Sequence, residues 1–83
     1  MKNTNAEKIL IETIRLLREE RERQKLSVKR LAALSGVSRT GLTHIEKEQR
    51  SPSLVNCLRI AEALDVHLGD IVNEAARNVD DGQ

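Results

Sequence analysis

Apolar residues recur at spacings of three and four along this chain, and no segment shows sustained alternation of apolar and polar residues. This spacing places side chains on one face of an α-helix, whereas a half-buried β-strand requires alternation. Leu10, Ile14 and Leu17 form the first such stripe. The 83 residues provide room for one small domain, with no separate domain for a cofactor. The sequence therefore predicts an all-α fold with a single core.

Helix-capping residues divide the chain into five predicted helices. The N-cap candidates are Thr4, Ser27, Ser38 and Ser51. Gly36 suits the left-handed backbone at the end of the second helix, and Pro52 suits the first position of the fourth. We place the first helix over residues 5–24 and the third over residues 39–47. The domain is expected to span residues 6–76, between a flexible N-terminal segment (1–5) and a flexible C-terminal tail (77–83).

The predicted core is aliphatic, because the chain contains no Phe, Tyr or Trp. On the fourth helix the residues expected to face inward are Leu54, Cys57, Leu58, Ala61 and Leu64. On the last helix they are Leu68, Ile71, Val72 and Ala75. The lack of aromatic rings excludes an aromatic cage, and it excludes nucleic-acid binding by stacking of bases on aromatic side chains.

The residue types available do not favour catalysis or metal binding. The single cysteine, Cys57, excludes an intramolecular disulfide and a Cys-rich zinc site. His44 and His67 belong to no triad-like pattern, and two histidines with scattered acids do not define a metal site. We therefore predict no enzymatic activity, no metal and no cofactor. No run approaches 18 apolar residues and the N-terminus lacks a signal-peptide core, so we expect a cytoplasmic protein without a membrane partner.

The formal net charge of +1 is the sum of two unlike halves. Residues 15–50 carry ten Lys and Arg against five Glu, a net charge of +5. Residues 51–83 carry two Arg against six Asp and Glu, a net charge of −4. This polarised pattern favours one half that faces an anion and a second half with a different role. Taken alone, the charges favour the simpler interpretation, which is a set of solvated helix faces.

Two short predicted helices joined by a turn at Gly36 match the physical description of a helix-turn-helix. Residues 26–47, LSVKRLAALSGVSRTGLTHIEK, resemble the Cro/cI-type (XRE) helix-turn-helix family, as do RSPSL at 50–54 and IAEALDV at 60–66. The resemblance covers residues 14–72, and the ordered elements Ser-x₃-Leu-Ala, Gly-Val-Ser, Ile-Glu and Pro-Ser-Leu make it specific. Lambdoid phage repressors and restriction–modification controller proteins belong to this family.

The resemblance implies a compact five-helix, lambda-repressor-like domain with its helix-turn-helix at residues 27–47. The implied function is transcriptional regulation through sequence-specific binding of double-stranded DNA. Such a protein is expected at the nucleoid when it is bound to DNA.

The third helix is the one that the resemblance places in the major groove. Its outward face contains no acidic residue and lies opposite Leu42 and Ile45. The residues predicted to read base edges are Arg39, Thr40, Thr43 and His44. Arg39 can make a bidentate contact with guanine, which is worth about 1–3 kcal/mol of discrimination.

Phosphate contacts are implied at the start of the second helix and around the loop after the third. The expected phosphate-binding residues are Ser27, Lys29, Lys47, Gln49, Arg50 and Ser51. Three positions depart from the family pattern: Val28 replaces a frequent Gln, Glu48 a usual Gly, and Gly41 a larger residue. The charge of Glu48 is expected to weaken DNA binding or to redirect the loop. For Gly41, close approach to DNA and simple tolerance both stay open.

Arg21 and Glu46 lie on apolar stripes, four residues after Leu17 and Leu42, where a lone charge is costly. In the family the corresponding Arg and Glu form an internal ion pair that braces the third helix against the first. We predict the same pair here, and we exclude both residues from base contacts.

Self-association is implied by the family and by size, because one module makes few DNA contacts. We predict a homodimer on a palindromic operator, with the interface at Val66, His67, Leu68, Ile71 and Val72. The apolar start of the first helix, with Ile9, Leu10 and Ile11, is the second candidate interface. The competing interpretation is an antitoxin-like module that binds a toxin, with DNA binding secondary. RNA polymerase is a further candidate protein partner.

Overall fold

The structure is a computed structural model that describes residues 5–82. Five helices make up the regular structure of this range, and no strand occurs within it. They are α1 (Asn5–Arg23), α2 (Val28–Ser35), α3 (Arg39–Glu46), α4 (Leu54–Ala63) and α5 (Leu68–Asp80). The all-α prediction is confirmed. The predicted cap at Thr4 lies outside the described residues.

Short-range capping chemistry fixes the ends of α2 and α3 as the sequence predicts. The Ser27 hydroxyl oxygen accepts a hydrogen bond from the backbone N–H of Arg30, and Ser38 accepts one from Gly41. Gly36 ends α2 in the left-handed conformation, with φ at 77°. The two hydrogen bonds to the serine hydroxyls satisfy backbone N–H groups that have no partner within their own helix.

The start of α4 differs from the prediction, because Ser53 rather than Ser51 is its N-cap. The Ser53 hydroxyl accepts the backbone N–H of Asn56 at 3.1 Å. Pro52 therefore precedes the cap instead of occupying the first helical position. Pro52 and Cys57 line the same crevice, which is the N′ to N4 pairing of a hydrophobic staple. Of the two serines that could each cap the helix, the second one does so.

A small aliphatic core lies between the helices, and α1 and α5 pack against each other most extensively. Leu31, Leu42 and Leu64 are its most buried large side chains, each 1% exposed. From α5, Ala75 is completely buried, whereas the predicted core residue Val72 is exposed. Burial of such aliphatic side chains stabilises the fold by about 1.5–3 kcal/mol each.

The inward face of α4 is narrower than predicted. Cys57, Ile60 and Ala61 are buried, but Leu58 is 48% exposed and Leu54 is 70% exposed. Leu58 lies about 100° around the helix from Cys57, which takes it off the buried stripe. Leu54 lies in the first turn and lines an open groove instead of the closed core. The prediction that both leucines face inward is therefore wrong.

The prediction of a C-terminal tail over residues 77–83 is wrong for residues 77–80, since α5 continues to Asp80. The Asn78 side-chain amide donates a hydrogen bond of 2.7 Å to a carboxylate oxygen of Glu12 on α1. Glu12 is buried, and its two oxygens also accept from the Arg15 guanidinium at 2.8 and 2.6 Å. This tertiary contact holds the end of α5 against α1.

Candidate DNA-binding surface

The turn between α2 and α3 is fixed by backbone geometry and by one buried side chain. The Gly36 N–H donates to the carbonyl of Ala32 at 3.0 Å, and Val37 is buried in the core. The Ser35 hydroxyl oxygen accepts from the Val37 N–H at 3.2 Å, within the turn. Because the turn is hydrogen-bonded and anchored, α3 has a defined orientation relative to α2.

The outer face of α3 presents the four residues predicted to read bases. Arg39 and Thr40 are exposed, while Thr43 and His44 are half-buried. Within residues 5–82 their side chains make no hydrogen bond or ion pair, so their donor groups are available to a ligand. Leu42 and Ile45 anchor the opposite face in the core. The arrangement is that of a helix buried along one side with a polar, non-acidic surface outward.

The predicted phosphate-binding residues lie on both sides of α3. Ser27 and Lys29 are exposed at the N-terminus of α2. The others are exposed at and after the end of α3, namely Lys47, Gln49, Arg50 and Ser51. The N-terminal amides of α2 add partial positive charge to that end of the surface.

Glu48 occupies a backbone position that favours glycine. Its φ is 60°, in the left-handed region. The N–H of Gln49 donates to the carbonyl of His44 at 2.8 Å, and the N–H of Glu48 donates to that of Ile45 at 3.0 Å. This pair of bonds is a Schellman motif with Glu48 at its C′ position. The motif explains why a glycine is usual here in the family, and it places a carboxylate between candidate phosphate contacts.

The space left by the missing side chain of Gly41 is used within the protein. A Cβ atom at this position would lie 2.8 Å from the Ser38 hydroxyl oxygen and 3.8 Å from a terminal nitrogen of Arg50. Gly41 therefore leaves room for the cap of α3, whereas the Arg50 guanidinium lies at ordinary contact distance from this position. Sequence reasoning did not anticipate that the Arg50 side chain lies beside Gly41.

The orientation of α3 is braced from α1 by an ion pair between Arg21 and Glu46. The Arg21 Nε atom lies 2.7 Å from one Glu46 oxygen, and its Nη2 atom lies 2.9 Å from the other. The Arg21 Nη1 atom donates to the carbonyl of Leu26 at 2.7 Å. Both side chains are 12% exposed. Hydrogen bonds to Glu46 raise the pKa of Arg21 above its ordinary value, which keeps the guanidinium charged.

The family comparison agrees with this geometry. A family model described as helix-turn-helix matches residues 17–71, which include all of α2, α3 and α4. The chain belongs to the XRE (Cro/cI-type) helix-turn-helix family. XRE proteins are DNA-binding regulators, and this chain is therefore a DNA-binding regulator of the XRE type. Searches of curated proteins and of solved structures returned no match.

The predicted dimer residues lie at and after the start of α5. Val66, Leu68 and Ile71 are half-buried, while His67 and Val72 are exposed. His67 is the N-cap residue of α5, although its side chain makes no capping hydrogen bond. The structure places these residues close to the exposed side of α4, because Val66, His67 and Leu68 share a groove with Leu58.

No group of three or more His, Cys, Asp or Glu within residues 5–82 is arranged to hold a metal ion. Cys57 is buried, and burial raises the pKa of its thiol. No helix in the same range is long and apolar enough to cross a membrane.

Proposed function

We propose that this XRE regulator binds a palindromic DNA operator as a homodimer and reads the major groove with α3. The single observation that carries the proposal is the outer face of α3, where four side chains with free donor groups lie on a helix anchored by Leu42 and Ile45. Two copies of α3 would enter successive major grooves, about 34 Å apart.

The four base-reading candidates and the phosphate-binding candidates differ in what their loss should do. Arg39 stands at the first position of α3, where a side chain reaches base edges, and its bidentate contact specifies guanine. Arg50 lies beside the same helix but in the following loop, and its charge neutralises a phosphate whatever the base sequence.

The test is selection of binding sites from a pool of random duplex DNA, followed by affinity measurements over a range of salt concentrations. Arg39→Ala should lose affinity mainly at one symmetric base pair, by about 1–3 kcal/mol. Arg50→Ala should weaken all sequences alike and reduce the salt slope by about one unit. Arg77→Ala, an exposed arginine on α5, is the matched control and should change neither.

Enrichment of a two-fold symmetric sequence with these effects supports the proposal. Failure to enrich any sequence would contradict it. So would an Arg39→Ala variant whose base preference equals that of the wild type.

A further inference from the structure

The outer side of α4 is more apolar than the surface of a lone soluble domain requires. Leu54, Val55 and Leu58 are 70%, 51% and 48% exposed. Half of the large exposed apolar side chains in residues 5–82 thus lie on this ten-residue helix. A cluster of this kind marks an interaction surface, whereas scattered single residues do not.

Two grooves border this apolar row. Val55 and Leu58 line a groove of about 520 Å³, with Val66 and Leu68 among its other lining residues. Leu54 lines a second groove of about 300 Å³ on the side of α1, with Leu68 among its other lining residues. Exposed apolar side chains beside a groove make a surface self-complementary in shape, because the side chains of one copy can fill the groove of another.

The charges at the larger groove are self-complementary as well. Arg59, Glu62 and Asp65 line it beside the apolar row. Their side chains make no ion pair or hydrogen bond with any residue in the described range 5–82. Across a two-fold axis, the arginine of each copy would meet the acids of the other, so that every contact occurs twice. A partner with charge of a single sign would leave one of these groups unpaired.

We propose that the α4 face, defined by Leu54, Val55, Leu58 and Arg59, binds a second copy of this chain about a two-fold axis. The proposal rests on the homodimer of the proposed function and names its contact surface. The centre of the proposed interface is then on α4 and no longer on α5. Val66 and Leu68 line the groove in which the apolar side chains of the second copy would bind. No candidate DNA contact belongs to the α4 face, so a second copy bound there would leave those residues uncovered.

The apolar part is tested by sedimentation of the full chain over a concentration series. Leu58→Glu should raise the dimer dissociation constant about tenfold or more, since it places a charge in a desolvated contact. Leu34→Glu is the matched control, because Leu34 on α2 is 47% exposed and lies outside the face. It should leave self-association unchanged, and circular dichroism checks that both variants retain their helices.

The charged part is tested by mixing two variants. Arg59→Glu leaves only acids at the site, and Glu62→Arg with Asp65→Arg leaves only cations, so each variant alone should self-associate poorly. An equimolar mixture should recover a dimer that contains one copy of each. A purely structural role for these residues predicts no recovery.

The α4 face is not the dimer contact if Leu58→Glu dimerises as the wild type does, or if the charge variants do not form a dimer on mixing. Neither result would contradict the homodimer or its DNA binding. If the wild type stays monomeric and protects only a single half-site of DNA, both the α4 contact and the homodimer are contradicted. The proposal is also contradicted if the wild type is monomeric and the α4 variants lose only their binding to a toxin-like protein. In that case the α4 face binds that protein and not a second copy.

Discussion

The Arg21 guanidinium on α1 and the Glu46 carboxylate at the end of α3 are joined by two parallel hydrogen bonds of 2.7 and 2.9 Å. The residues are separated by 25 positions in the chain, and the pair lies at the margin of the core. It therefore connects the helix with the base-reading candidates to the longest helix of the domain. Because each side chain is only 12% exposed, neither charge is well solvated without the other.

We expect Glu46→Gln to lower the free energy of unfolding by about 3–5 kcal/mol, since it leaves the largely buried Arg21 charge without its main partner. Glu22→Gln is the control, because the Glu22 side chain is 56% exposed and lies 3.9 Å from Arg21. Its effect should stay below about 1 kcal/mol. Urea denaturation measures both, and near-wild-type stability of Glu46→Gln would show that the pair is not a brace.

A second prediction concerns the strained backbone of Glu48. Glu48→Gly should stabilise the fold by about 1 kcal/mol, because glycine adopts the left-handed conformation without a Cβ clash. It should also tighten DNA binding several-fold at low salt, since it removes a carboxylate near the phosphate contacts.

Two control variants separate these effects. Lys25 has the same left-handed backbone, with φ at 60°, at the end of α1. Lys25→Gly should therefore stabilise the fold without tightening DNA binding. Glu48→Gln should tighten DNA binding without stabilising the fold. Equal behaviour of Glu48→Gly and Lys25→Gly in DNA binding would contradict the role given to the Glu48 charge.

Local chemistry made much of the fold predictable. A serine hydroxyl caps the helix that follows it, and Gly36 ends α2, through contacts within a few residues. Helical periodicity also indicated which side of α3 is buried. The start of α4 was not predictable in this way, because Ser51 and Ser53 have the same capping chemistry.

What the sequence could not indicate depends on distant partners. Asn78 extends α5 by contacting Glu12, which is 66 residues away. Periodicity assigns Leu58 to one side of α4, but it does not show where the neighbouring helices stop covering that side. Likewise, the position of Arg50 beside Gly41 follows from the path of a loop. The roles of the base-reading and phosphate-binding residues remain predictions.

Gly41→Ala should have almost no effect on stability, although glycine inside a helix usually costs about 1 kcal/mol relative to alanine. The added Cβ would lie 2.8 Å from the Ser38 hydroxyl oxygen, so this hydroxyl must shift, and we expect its cap, which is worth about 1 kcal/mol, to weaken. The two effects should cancel in the wild-type background. In a Ser38→Ala background the cap is already lost, so Gly41→Ala should stabilise the fold by about 1 kcal/mol. Equal effects in both backgrounds, measured by thermal denaturation, would contradict this coupling.

The contact between Glu12, Arg15 and Asn78 should make stability depend on pH. Hydrogen bonds from Arg15, with a further one from Asn78, lower the pKa of Glu12 below its ordinary value of 4.5, against the opposing effect of burial. A carboxyl group whose pKa is lower in the folded state stabilises that state above its unfolded pKa. This stabilisation is lost as the pH falls through the folded value.

Glu12→Gln should therefore be less stable than the wild type at neutral pH, by about 1–3 kcal/mol. The difference should shrink as the pH falls below about 4.5, the ordinary pKa at which the unfolded carboxyl takes up a proton, and it should be lost once the pH passes the lower pKa of the folded state. The pKa of Glu20 is also lowered, by hydrogen bonds from Gln24 and Arg23, but its contribution is common to both proteins and cancels in the difference. Glu74→Gln, at an exposed position on α5, is the control and should follow the wild type at every pH. A Glu12→Gln deficit that stays constant from neutral to acidic pH would show that the Glu12 charge does not hold α5 in place.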